Sequence, residues 1–239
     1  MATIGFMGFA EIAARSLDLI FPPTCAACGM PGDGVCAGCR ASLTSPSQVG
    51  CARCGYPWEV ATSRCHECPA AVDVTRQAVT FDSVAQAVVS ALKDDHRRAI
   101  AREIAVIISE RIPRPPRGTP LVPVPLSASR EEERGFNQAE LIAWEVGARW
   151  DLPVVDILVR DRDGPAQRGA SATERRLNVR GAFRIRDDAA RVPWAVCLVD
   201  DVVTTGSTVS SCARALRRGG VSAVGAVAFA RVVRAPALR

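Results

Sequence analysis

Eight of the ten cysteines occur as four C-x-x-C pairs within one short stretch of the chain. The pairs are Cys25/Cys28, Cys36/Cys39, Cys51/Cys54 and Cys65/Cys68. A C-x-x-C turn directs two thiolates at one point, so two turns supply the four sulfur ligands of a tetrahedral zinc ion. The spacing predicts two zinc ions. Because each ligand set is complete, we expect both to be structural. An iron–sulfur cluster or redox-active dithiols are the alternatives.

The spacing leaves open how the eight ligands divide between the two sites. Consecutive use would give one site to the first two pairs and the other to the last two, and an interleaved arrangement is also geometrically feasible. His66 lies inside the last pair and is interpreted as a bystander. Cys197 and Cys212 stand apart in apolar and helix-like sequence, so we expect them to be small buried side chains.

A second group of residues that could carry chemistry follows the apolar strand pattern at 195–199. Two acids, Asp200 and Asp201, are followed by the loop sequence TTGST at 204–208, which leads into a helix. Such a loop offers backbone N–H groups and hydroxyls to a phosphate at a helix N-terminus. Carboxylates beside it would repel a phosphate unless they bind hydroxyls or a metal. The pattern predicts a sugar-phosphate site, and a plain strand–turn–helix with a hydroxyl-rich cap is the alternative.

This run resembles the phosphoribosyl pyrophosphate (PRPP) motif of type I phosphoribosyltransferases. The resemblance implies that Asp200 and Asp201 are catalytic-site residues that bind the ribose hydroxyls, directly or through Mg²⁺. The residues implied to hold the 5′-phosphate are Thr204, Thr205, Gly206, Ser207 and Thr208. Enzymes of this family displace pyrophosphate at the anomeric carbon through an oxocarbenium-like state. Protein groups and Mg²⁺ would stabilise the departing pyrophosphate electrostatically.

Two further segments narrow the resemblance. The sequences VPVPLSASREEERGFNQAELIA at 122–143 and ERRLNVRGAF at 174–183 look like the ComF family. That family joins an N-terminal cysteine-rich zinc module to a phosphoribosyltransferase-like domain. The resemblance places Arg130 and Arg134 as pyrophosphate ligands and Arg175 as a catalytic residue that shields pyrophosphate. A solvated run of charges is the alternative for the first two arginines.

The remaining sequence predicts the elements that position these groups. From about residue 76, strand and helix patterns alternate, which indicates a parallel sheet covered on both faces. Strands are expected at 78–81 and 153–159. The polar tract 160–181 is interpreted as a mobile loop that closes over the site. The predicted fold class is α/β: a type I phosphoribosyltransferase-like parallel sheet with a small N-terminal zinc-ribbon module.

These patterns divide the chain into three segments. An amphipathic helix is expected over 1–22, a double zinc ribbon over 23–75 and the phosphoribosyltransferase-like domain over 76–239. Apolar residues of the first segment recur at three- and four-residue spacing, which favours a core or domain contact. Binding to a membrane surface or a partner is the alternative. No run of about 18 apolar residues lacks a charge, so no transmembrane span is predicted.

The composition is compatible with a phosphate-bearing ligand. The net charge is +5, and Lys93 is the only lysine among the 30 basic residues. Arginine therefore dominates, and its planar guanidinium suits bidentate phosphate contacts. Tyr56 and Trp58 are the aromatic residues considered for stacking on single-stranded DNA, and they form a weak pattern.

Together these features predict a ComF-type phosphoribosyltransferase-like protein that binds PRPP with Mg²⁺. The resemblance implies support of single-stranded DNA uptake in competence, with single-stranded DNA or DNA-uptake proteins as further partners. One alternative is a metabolic phosphoribosyltransferase acting on a nucleobase-like acceptor. Another is a non-catalytic module that senses PRPP or binds nucleic acid. We expect a cytoplasmic protein, with peripheral contact at the inner face of the membrane as an alternative.

Overall fold

The computed structural model describes residues 23–32, 34–46, 49–58, 61–160, 182–189 and 191–233. The helix expected over 1–22 lies outside the described residues, as does the tract 161–181 that contains Arg175. Among the residues described, no helix is both long enough and apolar enough to cross a membrane.

Helices and strands alternate along the described chain, as the sequence predicted. The helices are α1 (Ala37–Ser42), α2 (Ser83–Lys93), α3 (Ile100–Arg111), α4 (Ala128–Arg134), α5 (Gln138–Trp150) and α6 (Ser207–Arg218). The strands are β1 (Val74–Thr80), β2 (Leu121–Pro123), β3 (Leu158–Arg160), β4 (Phe183–Ile185), β5 (Ala195–Val203) and β6 (Ala223–Arg231). Side-chain caps fix the starts of α2 and α5. Asp82 accepts a hydrogen bond from the Ala85 N–H, and Asn137 accepts one from the Ala139 N–H.

Four strands form a parallel sheet in the order β1-β6-β5-β2. Because the four strands run in one direction, their carboxyl ends meet at one edge of the sheet. Ligands of open α/β sheets bind at that edge. Strands β3 and β4 form a separate antiparallel pair. The predicted α/β class with a parallel central sheet is confirmed.

Apolar layers cover both faces of the sheet, as a parallel sheet requires. One face packs against α2, α3 and α5, where Ile104, Ile142 and Phe229 are fully buried. The other face packs against α6 and the β3–β4 pair, through residues such as Leu198 and Leu216. Because both layers are packed, the carboxyl end of β5 lies between helices on the two faces of the sheet.

The two strands expected at 78–81 and 153–159 have different bounds in the structure. The first is β1, which begins at Val74, and the N–H of Thr75 within it donates to the carbonyl of Arg53 at 2.9 Å. In the second region only β3 is a paired strand, and Val154 makes an isolated parallel bridge to Leu121. Tertiary pairing, rather than the apolar pattern, sets these limits.

Arg130 and Arg134 lie in helix α4. Its sequence ASREEER is rich in strong helix formers. The helix ends at Gly135, whose φ of +72° gives the left-handed conformation common after a helix C-terminus. The two arginines are therefore carried on a short rigid element.

Candidate functional site

The eight paired cysteines form two clusters of four, and the Sγ atoms within each cluster lie within 4.8 Å of one another. One cluster is Cys25, Cys28, Cys36 and Cys39, and the other is Cys51, Cys54, Cys65 and Cys68. Neighbouring sulfurs are 3.5 to 3.9 Å apart. A tetrahedral zinc with Zn–S bonds of about 2.3 Å needs sulfurs about 3.8 Å apart. The ligands are therefore used consecutively, and both clusters fit zinc.

Backbone amides point at sulfurs of both clusters, and the Cys65 N–H donates to the Sγ of Cys68 at 3.5 Å. The N–H groups of Cys36 and Ala27 donate to the Sγ of Cys25 at 3.3 and 3.5 Å. Burial acts to raise the pKa of Cys25, but these amides lower it to about 6. Burial likewise opposes ionisation of Cys51, whose neighbouring amides and Cys68 lower its pKa to about 7. Both thiols are thus prepared to be thiolates, the form that binds metal.

His66 and the two remaining cysteines belong to neither cluster. The side chain of His66 is 73% exposed. Cys197 and Cys212 are buried, as predicted, and all ten cysteines are free of disulfides. Burial raises the pKa of Cys197 to about 12, which leaves it a neutral apolar side chain.

The segment 204–208, called the phosphate loop after its predicted ligand, joins the carboxyl end of β5 to the first turn of α6. Gly206 adopts φ +69°, in the left-handed region, and immediately precedes the first turn of α6. The cap residue Gly206 has no side chain, and no acid lies in the first turn of α6. The Ser207 N–H donates to Thr205 Oγ1 at 3.4 Å. The Thr205 hydroxyl donates to the Ser207 hydroxyl at 3.0 Å. The remaining N–H groups of the first turn and the nearby hydroxyls provide the donors that a phosphate dianion needs.

The strand expected at 195–199 extends to Val203, so the two acids lie within β5, near its carboxyl end, and are almost completely buried. Asp200 is 9% exposed and Asp201 is 3% exposed. The Asp201 carboxylate forms an ion pair with Lys93 and accepts a hydrogen bond from Gln138 Nε2 at 3.4 Å. Asp200 accepts a hydrogen bond from the Asp201 backbone N–H at 2.9 Å. Helices α2 and α5 therefore supply the polar partners of Asp201.

The adjacent carboxyl groups have opposite pKa shifts. Burial and repulsion from Asp201 raise the pKa of Asp200 well above its usual range. Burial also opposes ionisation of Asp201, but the charge and hydrogen bond of Lys93 lower its pKa below the ordinary value. The pair thus holds one negative charge more easily than two. A cationic or hydroxyl-bearing ligand would relieve this imbalance.

The predicted pyrophosphate ligands occupy different surroundings. Arg134 donates to Gln138 Oε1 at 2.7 Å, and Gln138 in turn donates to Asp201. Arg130 is exposed and has no polar partner among the residues the structure describes. The structure therefore connects Arg134 to the acid pair and leaves Arg130 on the surface of α4.

Lys93 and Gln138 are site residues that the sequence analysis missed. Both lie far from the acids along the chain, one at the end of α2 and one at the start of α5. Lys93 could have been singled out from the sequence, because it is the only lysine in an arginine-rich chain. Nothing in the local sequence marks Gln138.

The aromatic residues considered for DNA stacking are not an open platform. Tyr56 is 5% exposed, and the Arg231 guanidinium lies 5.1 Å from the centre of its ring. Trp58 is partly buried, with its ring 5.3 Å from that of Tyr56. Among the described tryptophans, Trp144 and Trp194 are the exposed ones.

Comparisons with known proteins agree with this architecture. Residues 16–69 match the double zinc ribbon domain. Competence protein F of Haemophilus influenzae is 28% identical over 83% of this chain and 91% of its own length. DNA utilization protein YhgH of Escherichia coli K12 is 31% identical over 86% of this chain and 96% of its own length. Competence protein ComFC of Bacillus subtilis is 30% identical, with coverage of 81% and 82%.

Proposed function

The chain belongs to the ComF family, and from that premise we propose that its α/β domain binds PRPP with Mg²⁺ in support of DNA uptake. One observation carries the ligand assignment. Two buried acids near the carboxyl end of β5 are followed by a hydroxyl-rich loop and a helix N-terminus with no acid in its first turn. This juxtaposition suits a molecule that carries both hydroxyls and a phosphate.

Each part of the site has a distinct role in the proposal. Asp200 and Asp201 accept hydrogen bonds from the ribose hydroxyls. Thr204, Thr205, Gly206, Ser207 and Thr208 hold the 5′-phosphate. Arg134 and Lys93 supply positive charge for the pyrophosphate, and Gln138 orients Arg134 and Asp201 relative to each other. Arg130, which is exposed on α4, is the second residue that binds the pyrophosphate.

The donor set of the acid pair fits Mg²⁺. This ion prefers oxygen ligands and is commonly held by one or two carboxylates together with substrate phosphates. When bound, Mg²⁺ would neutralise charge on the pyrophosphate leaving group. The protein itself contributes two buried carboxylates whose mutual repulsion is only partly offset by Lys93.

The role in DNA uptake is supported by the relatives. Two of them are named competence proteins and one a DNA utilization protein, and each aligns with most of this chain. We propose that the protein handles single-stranded DNA, or a DNA-uptake protein, while its α/β domain responds to PRPP.

Thermal unfolding with PRPP and Mg²⁺ tests the ligand assignment. Ligand that binds only the native state raises the melting temperature. The double variant Asp200→Asn/Asp201→Asn is expected to lose this increase. The matched control is Asp187→Asn/Asp188→Asn, which removes the same charge from a surface turn whose side chains are 92% and 76% exposed. An undiminished increase in the first double variant would exclude the acids as ribose ligands.

Release of pyrophosphate in the presence of candidate acceptors tests whether the domain also catalyses transfer. Arg175, which lies outside the described residues, is proposed from the family resemblance to shield pyrophosphate during the reaction. Product formation that falls in Arg175→Ala while PRPP affinity is unchanged would support this catalytic role. Binding of PRPP without product from any nucleobase would favour a sensing module instead.

A further inference from the structure

The chain that leaves the second zinc cluster runs directly onto the phosphate loop. Cys68 is followed by Pro69, which is buried against Gly206. A Cβ atom added to Gly206 would lie only 2.9 Å from Pro69 Cγ. The loop therefore approaches the segment after the zinc ligand as closely as a glycine allows.

A serine hydroxyl joins the same two segments by hydrogen bonds. Ser210 Oγ accepts from the Ala70 N–H at 2.8 Å and donates to the Gly206 carbonyl at 2.6 Å. Ser210 lies in α6 and is 6% exposed. One buried hydroxyl thus links the backbone that follows Cys68 to Gly206, the residue immediately before α6.

A second connection joins this cluster to the end of the sheet. Arg231, at the carboxyl end of β6, is fully buried and donates to the carbonyls of Cys54 and Glu67 at 3.3 and 2.8 Å. In the strand pairing, Arg231 lies opposite Val203, the last residue of β5 before the loop. The second cluster is therefore attached at both ends of the phosphate loop: through Pro69 at Gly206, and through Arg231 opposite Val203.

The first cluster makes different contacts. Arg97 donates to the Thr24 carbonyl at 2.5 Å, and Arg111 donates to the Leu43 carbonyl at 3.0 Å. These contacts lead to α3 and the region before it. Within the described residues, no polar contact connects Cys25, Cys28, Cys36 or Cys39 to the phosphate loop.

We propose that the second zinc site positions the phosphate loop, with Pro69 and Ser210 as positioning residues, so that metal at this site and ligand at the loop bind cooperatively. The identity of the ligand rests on the proposed function, whereas the positioning does not. Coupling between two binding sites is reciprocal. Zinc at the second site raises the affinity of the loop for PRPP, and PRPP slows the loss of that zinc ion, while the first zinc ion is indifferent to both.

Two matched cysteine variants provide the first test. Cys65→Ser and Cys39→Ser each replace a half-buried ligand, one in each cluster, and neither residue is adjacent to the loop. Each variant should retain about one zinc ion per chain. Hydrogen exchange is then measured without ligand at the amides of 204–210. We expect exchange to accelerate about tenfold in Cys65→Ser and to stay unchanged in Cys39→Ser. Equal exchange in the two variants would overturn the proposal.

A third variant decides the question if the loss of a zinc ion unfolds either protein. Ser210→Ala removes the linking hydroxyl and leaves all eight zinc ligands intact. The control is Ser211→Ala in the same helix, since Ser211 is equally buried but contacts Arg214 instead. Ser210→Ala should keep about two zinc ions. It should lose about tenfold in PRPP affinity, because the two hydrogen bonds that join Ala70 to Gly206 are removed. The same behaviour in both serine variants would refute the positioning role.

Chelation separates this proposal from the proposed function. Zinc release to a chelator is followed in wild-type protein with and without PRPP and Mg²⁺. Slower release of one of the two ions, and its absence in Ser210→Ala, supports the coupling. PRPP that binds without slowing the release of either ion contradicts it. If PRPP does not bind at all, the proposed function fails, and exchange at 204–210 in Cys65→Ser and Ser210→Ala still decides whether the zinc site positions the loop.

Discussion

The two zinc ribbons use the same ligand chemistry but are attached to the α/β domain in different ways. In the first ribbon Cys28 is exposed, and Val35 and Leu43 pack into the apolar layer formed with α3. In the second ribbon Cys51 and Cys54 are buried, and the fully buried Arg231 anchors it to the sheet opposite Val203, the last residue of β5. Ligand spacing identifies a zinc ribbon, but only its attachments indicate which part of the neighbouring domain the metal supports.

Loss of one zinc ligand should give the largest difference between the ribbons. Wild-type protein should carry about two zinc ions, and Cys28→Ser or Cys54→Ser about one. Structural zinc provides much of the folding energy of such small modules. Because Cys54 is 0% exposed and its carbonyl binds Arg231, its variant should melt at a lower temperature than Cys28→Ser. Metal analysis and calorimetry measure both effects, and equal melting temperatures would remove the distinction between the ribbons.

The anchoring arginines offer a comparison with both metals retained. Arg231→Met leaves the carbonyls of Cys54 and Glu67 buried without their donor, which should lower the free energy of unfolding by about 3 kcal/mol. Arg111→Met in the first ribbon should cost about 1 kcal/mol, because its partners are closer to solvent. Urea unfolding gives both values. A larger loss in Arg111→Met would reverse the assignment of the tighter attachment.

The second ribbon contacts the loop that follows a pair of buried acids, whereas the first ribbon packs on an apolar core. Burial raises the pKa of Asp200, so the folded protein favours its neutral form. Asp200 makes its full contribution to the free energy of unfolding below its ordinary pKa of about 3.9. That contribution is lost as the pH rises through the raised pKa of the folded protein. Asp200→Asn avoids that loss. We expect it to be about 1–2 kcal/mol more stable than wild type at neutral pH and nearly equal at pH about 3.

The neighbouring acid should respond in the opposite direction. Asp201→Asn removes the partner of Lys93, whose side chain is 23% exposed, and should destabilise the protein by about 1–2 kcal/mol. Unfolding of both variants across the pH range measures the pair. Destabilisation by Asp200→Asn, or stabilisation by Asp201→Asn, would contradict the charge distribution described for the site.

The smallest effect is expected at the surface of the first ribbon. Arg40 and Glu110 form an ion pair at 2.5 Å, with side chains 30% and 57% exposed. Exposed pairs contribute about 0–1 kcal/mol, so Arg40→Ala should change the free energy of unfolding by less than about 0.5 kcal/mol. A loss comparable to that of Arg231→Met would show that the first ribbon depends on its surface charges.

The sequence predicted the features whose signals are local. Four C-x-x-C pairs predicted zinc sites, and an apolar strand followed by Asp200, Asp201 and TTGST predicted where the loop would lie. The division of the cysteines into clusters required the fold, because both pairings satisfy the same spacing. The partnership of Lys93 with Asp201 also required it, since only the packing of α2 on the sheet brings them together. Likewise, Arg231 could not be assigned to the second ribbon before the end of β6 was known.

The ion pair between Lys93 and Asp201 has a practical consequence. Because no other lysine occurs in the chain, the only side-chain primary amine lies at the carboxyl edge of the sheet, next to the acid pair. Acylating reagents that modify amines would therefore label this one side chain and the N-terminus. The extent of labelling becomes an intrinsic reporter of whether the site is open, without an introduced tag or fluorophore.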